Sequence, residues 1–336
     1  MESTALARIA AAEAAATQAD ARSGELQRAL TAVRDEHRQT TALLDTRSAE
    51  LRAAQVFLTR ADDVADSDVL RLITTLNSCV FQLAAAVTDA FQSRCGVGQD
   101  GVGDACAELV EGQMVGQSVV DVLRRVDHRD DNALVQVALQ GVMTTYARWL
   151  CSRWDLSGDT DFEGVYGSIK LHEPQAVAGR WRSLCRTHLR GLRLPDDVQS
   201  GEAEHAVVGA LATVLRACGV ADDADALREE LRRAHADGLR TIVRSAFEFR
   251  RAAGEAVVSR DFAVVVVPAE ELFDEAGMED EWEGPKKKRR GRGVETAHPV
   301  FCTTGLGLMR EESRSEGGAL LLVKPKVVLK SILDKI

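Results

Sequence analysis

Residues 62–91 read DDVADSDVLRLITTLNSCVFQLAAAVTDAF. Val69, Ile73, Leu76, Val80, Leu83, Val87 and Phe91 recur at steps of three and four. That spacing collects them on one face of a helix, wide enough to be buried rather than laid on a surface. Before them, Asp62, Asp63, Asp66 and Asp68 stand with Ser67. Acids and hydroxyls are favoured where the first backbone N–H groups of a helix lack partners, so this run predicts a break followed by a cap.

The same period continues outward. It predicts helices over 104–126, 131–154, 174–190, 203–219 and 222–258. The second of these carries Leu139, Val142, Met143, Tyr146, Trp149 and Leu150. The last sets Leu227, Leu231, Ala234, Ile242, Ala246 and Phe247 opposite a charged face with the Glu229–Arg233 pair. Pro174 and Pro195 fall at helix starts or breaks. The expectation is a helical bundle over 67–268, within the ordinary size of one domain.

Toward the N-terminus, residues 1–66 contain no proline and a single glycine, Gly24. An Ala-rich, charged stretch of this kind favours one long helix, on the order of 85 Å at ~1.5 Å per residue. A heptad frame places Leu26, Leu30, Val33, Leu44, Leu51 and Leu58 on one seam, with flaws at Ser23, His37, Thr40 and Arg47. A helix so long needs a partner along its seam, so a coiled-coil pairing is expected, as a homo- or hetero-oligomer. Beyond 261 the pattern changes. Phe262–Val267 is a short extended apolar run ending at Pro268. Eight acids between Glu270 and Glu283 are followed at once by Pro-Lys-Lys-Lys-Arg-Arg-Gly-Arg-Gly at 285–293. Adjacent acidic and basic blocks predict a disordered linker over 269–299. The apolar tail 300–336 is expected to dock on the bundle or on a partner. The fold class read from these patterns is all-α.

Residues 54–91 resemble a pattern in uncharacterised coiled-coil and α-helical proteins of mushroom-forming (basidiomycete) fungi. The segment KPKVVL at 324–329 resembles their C-terminal part. The resemblance implies an N-terminal coiled coil and a helical middle. It implies no activity, cofactor or functional residue.

Composition bounds the function. The 336 residues carry a net charge of -10, which argues against a protein coating nucleic acid over its whole surface. Aromatics are sparse at 4%. Seven scattered cysteines read as reduced, mostly buried thiols of an intracellular protein. The N-terminus has no signal-peptide pattern, and Phe262–Val267 is too short to span a membrane.

The basic run is the one short motif with a specific meaning. Lys286, Lys287, Lys288, Arg289 and Arg290 offer consecutive cations on a segment that Pro285 and the flanking glycines keep out of a helix. That is what an acidic groove on a nuclear import receptor binds. The chain has 8 lysines, three of them here, so the triplet stands against a background that prefers Arg. Run 286–292 could also release counterions from nucleic acid, which makes a nucleic-acid-associated regulator the alternative reading. Gly96, Gly98 and Gly101 spell G-x-G-x-x-G, but a helix precedes them where a dinucleotide site needs a strand. His128-Arg129-Asp130 lacks the Asn a kinase catalytic loop requires, since 135 is Val. Cys185 and His188 lack a second ligand pair. No catalytic, cofactor-binding or metal residue is assigned. The expectation is a non-enzymatic nuclear interaction or scaffold protein, oligomeric through residues 1–60. An enzyme would require a concave pocket with converging polar groups.

Overall fold

The structure, a computed structural model, describes residues 2–58, 62–96, 101–129, 132–154, 161–192, 196–282, 298–311 and 318–334. The chain forms two compact units, Met1–Arg60 and Ala61–Ile336. The first is a single helix, α1 (Glu2–Leu58). Its Thr17, Thr31, Thr40 and Thr46 hydroxyls each donate to the carbonyl four residues back, so these hydroxyls are satisfied within the helix.

The second unit is mostly helical. Its helices are α2 (Asp66–Phe91), α3 (Val102–Glu111), α4 (Gln117–Arg125), α5 (Ala133–Ser152), α6 (Phe162–His172), α7 (Gln175–Leu192), α8 (Asp196–Ala217), α9 (Ala224–Ala234) and α10 (Ala236–Arg251). All seven residues of the apolar face of α2 are buried, as the period predicts. On composition alone α2 is long and apolar enough to cross a bilayer. In the folded unit it packs its apolar face against α5 and α10. Thirteen of the twenty residues of α5 are buried, because it is enclosed by α2, α8, α10 and the C-terminal strands. Leu139, Met143 and Leu150 are among the largest fully enclosed side chains, each stabilising the unit by about 1.5–3 kcal/mol.

Helix boundaries differ from the sequence reading where backbone chemistry intervenes. The helix expected over 104–126 is two, α3 and α4, parted at Gly112–Gly116, where Gln113 has φ 52°. The helix expected over 222–258 breaks at His235 and gives way, past α10, to a π-helical turn at Ala252–Ala256. The aspartates at 62–68 do not cap α2. Its N-cap is Ala65, without a side-chain bond. Asp62 instead accepts from the backbone N–H groups of Val258 (2.7 Å) and Ser259 (3.0 Å), pinning the start of the unit to the chain beyond the π turn.

The all-α reading is corrected by two small sheets. β1 (Asp261–Val265), β4 (Gly307–Glu311) and β5 (Ala319–Val323) form one, antiparallel throughout, in the order β1-β4-β5. The other has the order β2-β6-β3: β2 (Glu279–Asp280) runs parallel to β6 (Lys326–Leu329), which pairs antiparallel with β3 (Val300–Gly305). The β1–β4 and β2–β6 pairings join residues more than 40 apart, so no local period announces them.

The described part of the expected linker, 269–282 and 298–299, is folded. Glu270 and Glu271 exchange backbone bonds with Val300, Phe273 N–H donates to the His298 carbonyl, and β2 adds an edge to β6. The acids of this stretch are interleaved with apolar residues: Met278 is buried and Phe273 packs beside it. A charge count sees the acids and misses that alternation. The tail does dock, and it does so as strands. β3 is buried at all six positions, against α5. At Gly141 on α5, an added Cβ would sit 2.3 Å from Cys302 Sγ, so only glycine allows this approach. Where the chain passes from β3 to β4, the Asn77 amide on α2 donates to the Leu306 carbonyl (2.9 Å) and accepts from its N–H (2.8 Å). Those backbone groups would otherwise be buried without partners.

Candidate functional site

The sequence assigned two sets of site residues, one along α1 and one in the basic run. Along α1, Leu26, Leu30, Val33, Leu44 and Leu51 are 50–65% exposed. Leu58 ends the helix, and its side chain lies outside the described residues. Lys286, Lys287, Lys288, Arg289 and Arg290 also lie outside the described residues. Of the glycine motif, Gly98 lies outside them too. Gly101, in the left-handed region, immediately precedes α3, and the segment before the motif is α2 with a 3-10 turn. His128 is enclosed, its Nε2 3.0 Å from the Leu123 carbonyl. Cys185 is half-buried and His188 exposed, and no group of three His, Cys, Asp or Glu arranged for a metal occurs among the described residues.

A different constellation lies in the second unit, and its parts come from three places. Helix α6 sets Tyr166 and Lys170 one turn apart, on the same face. Helix α7 does the same for Arg182 and Arg186. The π turn after α10 leaves main-chain carbonyls without the usual helical donors. Arg182 supplies them: its Nε donates to the Gly254 carbonyl (3.3 Å) and its Nη2 to those of Val257 (2.5 Å) and Arg260 (3.1 Å). Ser183 Oγ donates to the Glu255 carbonyl at 2.6 Å. The chain held in this way delivers Asp261, the first residue of β1, to the centre.

Asp261 is 6% exposed and Arg182 4%. They form a buried ion pair. The Tyr166 hydroxyl donates to Asp261 Oδ1 (2.8 Å) and accepts from Arg182 Nη1 (3.1 Å). Lys170 Nζ lies 2.9 Å from Asp261 Oδ2 and pairs with Glu311 on β4. Two cations thus meet two carboxylates, with the phenol as bridge. Burial pushes the Tyr166 pKa up, so the phenol stays a neutral donor, and burial also pulls the Arg182 pKa down.

Beside this balanced network is a pocket of about 330 Å³ between α6, α7, α10 and β1. Its aromatic wall is Trp154, stacked on Phe162 (5.9 Å between ring centroids) and tilted against Tyr166 (5.4 Å) and Trp181 (5.6 Å). The Arg186 guanidinium lies over the Trp154 ring at 4.6 Å. Its Nη1 and Nη2 donate to the carbonyls of Arg153 (3.3 Å) and Ser152 (3.1 Å) at the end of α5. Its Nε is enclosed and has no acceptor. Burial, with Arg182 and Arg250 close by, lowers the Arg186 pKa to about 9. What such a pocket can do chemically is hold an anion.

The sequence reading did not find this site. One signal for it was present: three of the four tryptophans and both tyrosines fall between 146 and 181, in a chain with few aromatics. No family model, curated protein or solved structure matches the chain.

Proposed function

We propose that the chain is a non-enzymatic interaction protein that assembles through α1 and reaches the nucleus through the run at 286–290. The observation that carries the assembly reading is the row of exposed apolar side chains on α1: Leu26, Leu30, Val33, Leu44 and Leu51, each at least half in water. In a 57-residue helix, local hydrogen bonds alone give marginal stability, and an apolar seam supplies the remainder once a partner covers it. Each seam Leu or Val covered is worth about 1.5–3 kcal/mol, so five layers contribute on the order of 10 kcal/mol, enough to offset the ordering cost of association. Ala at further layers (Ala12, Ala16, Ala19 and Ala54) permits close helix approach, while Ser23, His37, Thr40 and Arg47 weaken theirs.

The test is sedimentation velocity on the full chain against Leu30→Glu/Leu44→Glu. The wild type sediments as an oligomer and the double variant as a monomer. A monomeric wild type refutes the reading. For delivery, the support is the residue order of the run, set in a chain that otherwise uses little lysine. A fluorescent fusion carrying Lys286→Ala, Lys287→Ala and Lys288→Ala loses nuclear accumulation; an unchanged distribution removes that half of the proposal.

A further inference from the structure

We propose that α1 pairs with a second copy of itself in antiparallel orientation, in the register that sets Leu30 against Leu26 of the second copy. This pairing rests on the assembly reading above and names its partner, direction and register. Core positions of the heptad frame fall in two sets, one running through Leu30 and Leu44 and the other through Leu26 and Val33. Charges flanking the core reach across to the partner helix and set its orientation. Those immediately before the first set are Arg8, Arg22, Glu36 and Glu50; those immediately after the second are Glu13, Asp20 and Arg34.

In antiparallel helices each flank meets its own counterpart. With Leu30 on Leu26, Arg22 comes opposite Glu36 of the second copy, and Asp20 opposite Arg34 of the second copy. The two-fold axis repeats both contacts. These four side chains are exposed, and none has an ion pair within its own chain among the described residues. Glu13 comes opposite the neutral Thr41. Arg8 comes opposite Glu50, which already pairs with Arg47 of its own helix at 2.8 Å and is not counted. No like charges meet. A slip of one heptad removes both contacts: one direction leaves only Glu13 opposite Arg34, and the other leaves no charge pair. In a parallel pair in register, only Arg8 and Glu13 oppose each other, and Arg47 meets Arg47 of the second copy inside the core.

Side-chain size favours the same register. Leu44 comes opposite Ala12 and Val33 opposite Ser23, large against small, so the layers keep an even thickness. Parallel layers would set Ala12, Ala16 and Ala19 each on itself, and Leu44 and Leu51 each on itself. Thr40 opposite Ala16 brings no unsatisfied hydroxyl, because it already donates to the Glu36 carbonyl at 2.9 Å. The pairing is centred on Gln27–Ala29, within one turn of the midpoint of Glu2–Leu58. The charges thus select the register that overlaps the helix along nearly its whole length.

The experiment is sedimentation equilibrium on the full chain, on Arg22→Glu, on Glu36→Arg and on an equimolar mixture of the two variants. The wild type is a dimer. Each variant alone sets like charges against each other twice per dimer, and its Kd rises about tenfold or more. In the mixed dimer every one of these contacts is again of opposite sign, and the mixture regains the wild-type Kd to within about threefold. Local effects on either helix are not repaired by a second chain, so this recovery reports the contact itself. In a parallel dimer Arg22 opposes Gln27 and Glu36 opposes Thr41, and neither variant weakens it. A wild type monomeric at every concentration refutes the assembly reading and the pairing with it. A wild-type dimer indifferent to both substitutions, a mixture no tighter than its components, or a wild-type particle of more than two chains leaves assembly in place and overturns the antiparallel pairing.

Discussion

Asp261→Asn is the substitution for which the structure sets the clearest magnitude. The carboxylate accepts from the Tyr166 hydroxyl, Lys170 Nζ and Arg182, with Gln175 Nε2 at 3.5 Å. Asparagine keeps the shape and replaces one acceptor oxygen with a donor, so at least one donor faces another. Arg182 cannot leave, because three main-chain carbonyls depend on it. It stays enclosed at 4% exposure with its charge unmatched. Removing one partner of a buried pair costs about 3–5 kcal/mol. For a unit of this size each kcal/mol lowers Tm by about 2–4 °C, so the loss is roughly 6–20 °C. Urea unfolding and differential scanning calorimetry read it directly. Tyr166→Phe removes one hydroxyl and leaves the ions paired, at a cost of about 0.5–1.5 kcal/mol. If Asp261→Asn costs less than about 1 kcal/mol, the network is not holding the junction of α7, the π turn and β1, and the reasoning fails.

Other consequences are as direct. Burial pushes the Asp62 carboxyl up, but bonds from Ser259, Val258 and Arg260 outweigh it and hold the pKa below the ordinary carboxylate value. A depressed folded pKa gives stability that is present above the unfolded value of ~3.9 and is lost as pH falls through the folded one. The stability gap between wild type and Asp62→Ala, about 1.5–3 kcal/mol at neutral pH, therefore closes in acid, and a gap independent of pH contradicts this. Gly141→Ala drives a methyl into Cys302 Sγ and destabilises by about 1–3 kcal/mol in chemical denaturation. Thiol labelling of the native protein at mildly alkaline pH modifies Cys79 and Cys185 first. Cys95, Cys106, Cys151, Cys218 and Cys302 are buried, and burial pushes the Cys302 pKa up to about 12.

Most of the helices were legible because a helix is written in its own residues, though α6 (Phe162–His172) fell between the expected spans. The apolar spacing from Val69 to Phe91 names its buried face before any partner is known. The long uninterrupted α1 follows in the same way from the near-absence of Gly and Pro. The strands were harder. Phe262–Val267 reads as extended, and β1 does form there, but its partner at 307–311 lies more than 40 residues away and no local pattern points to it. The stretch 269–282 was misread because its acids outnumber the few apolar residues that anchor it, and those count only where Val300 and Val327 are present to receive them.

The buried network belongs wholly to the tertiary structure. Tyr166 and Lys170 are ordinary polar residues on α6, and Arg182 and Arg186 are two among many arginines. Nothing within a turn of any of them requires a carboxylate. Asp261, 95 residues after Tyr166, becomes their counter-ion because the π turn redirects the chain before it, and the low dielectric of the closed unit then makes the pairing obligatory. The sequence by itself determined where helices run and which faces they bury, since those depend on neighbours three and four residues away. Which charges meet and where a pocket is left depended on distances between segments remote in the chain, and only folding set them.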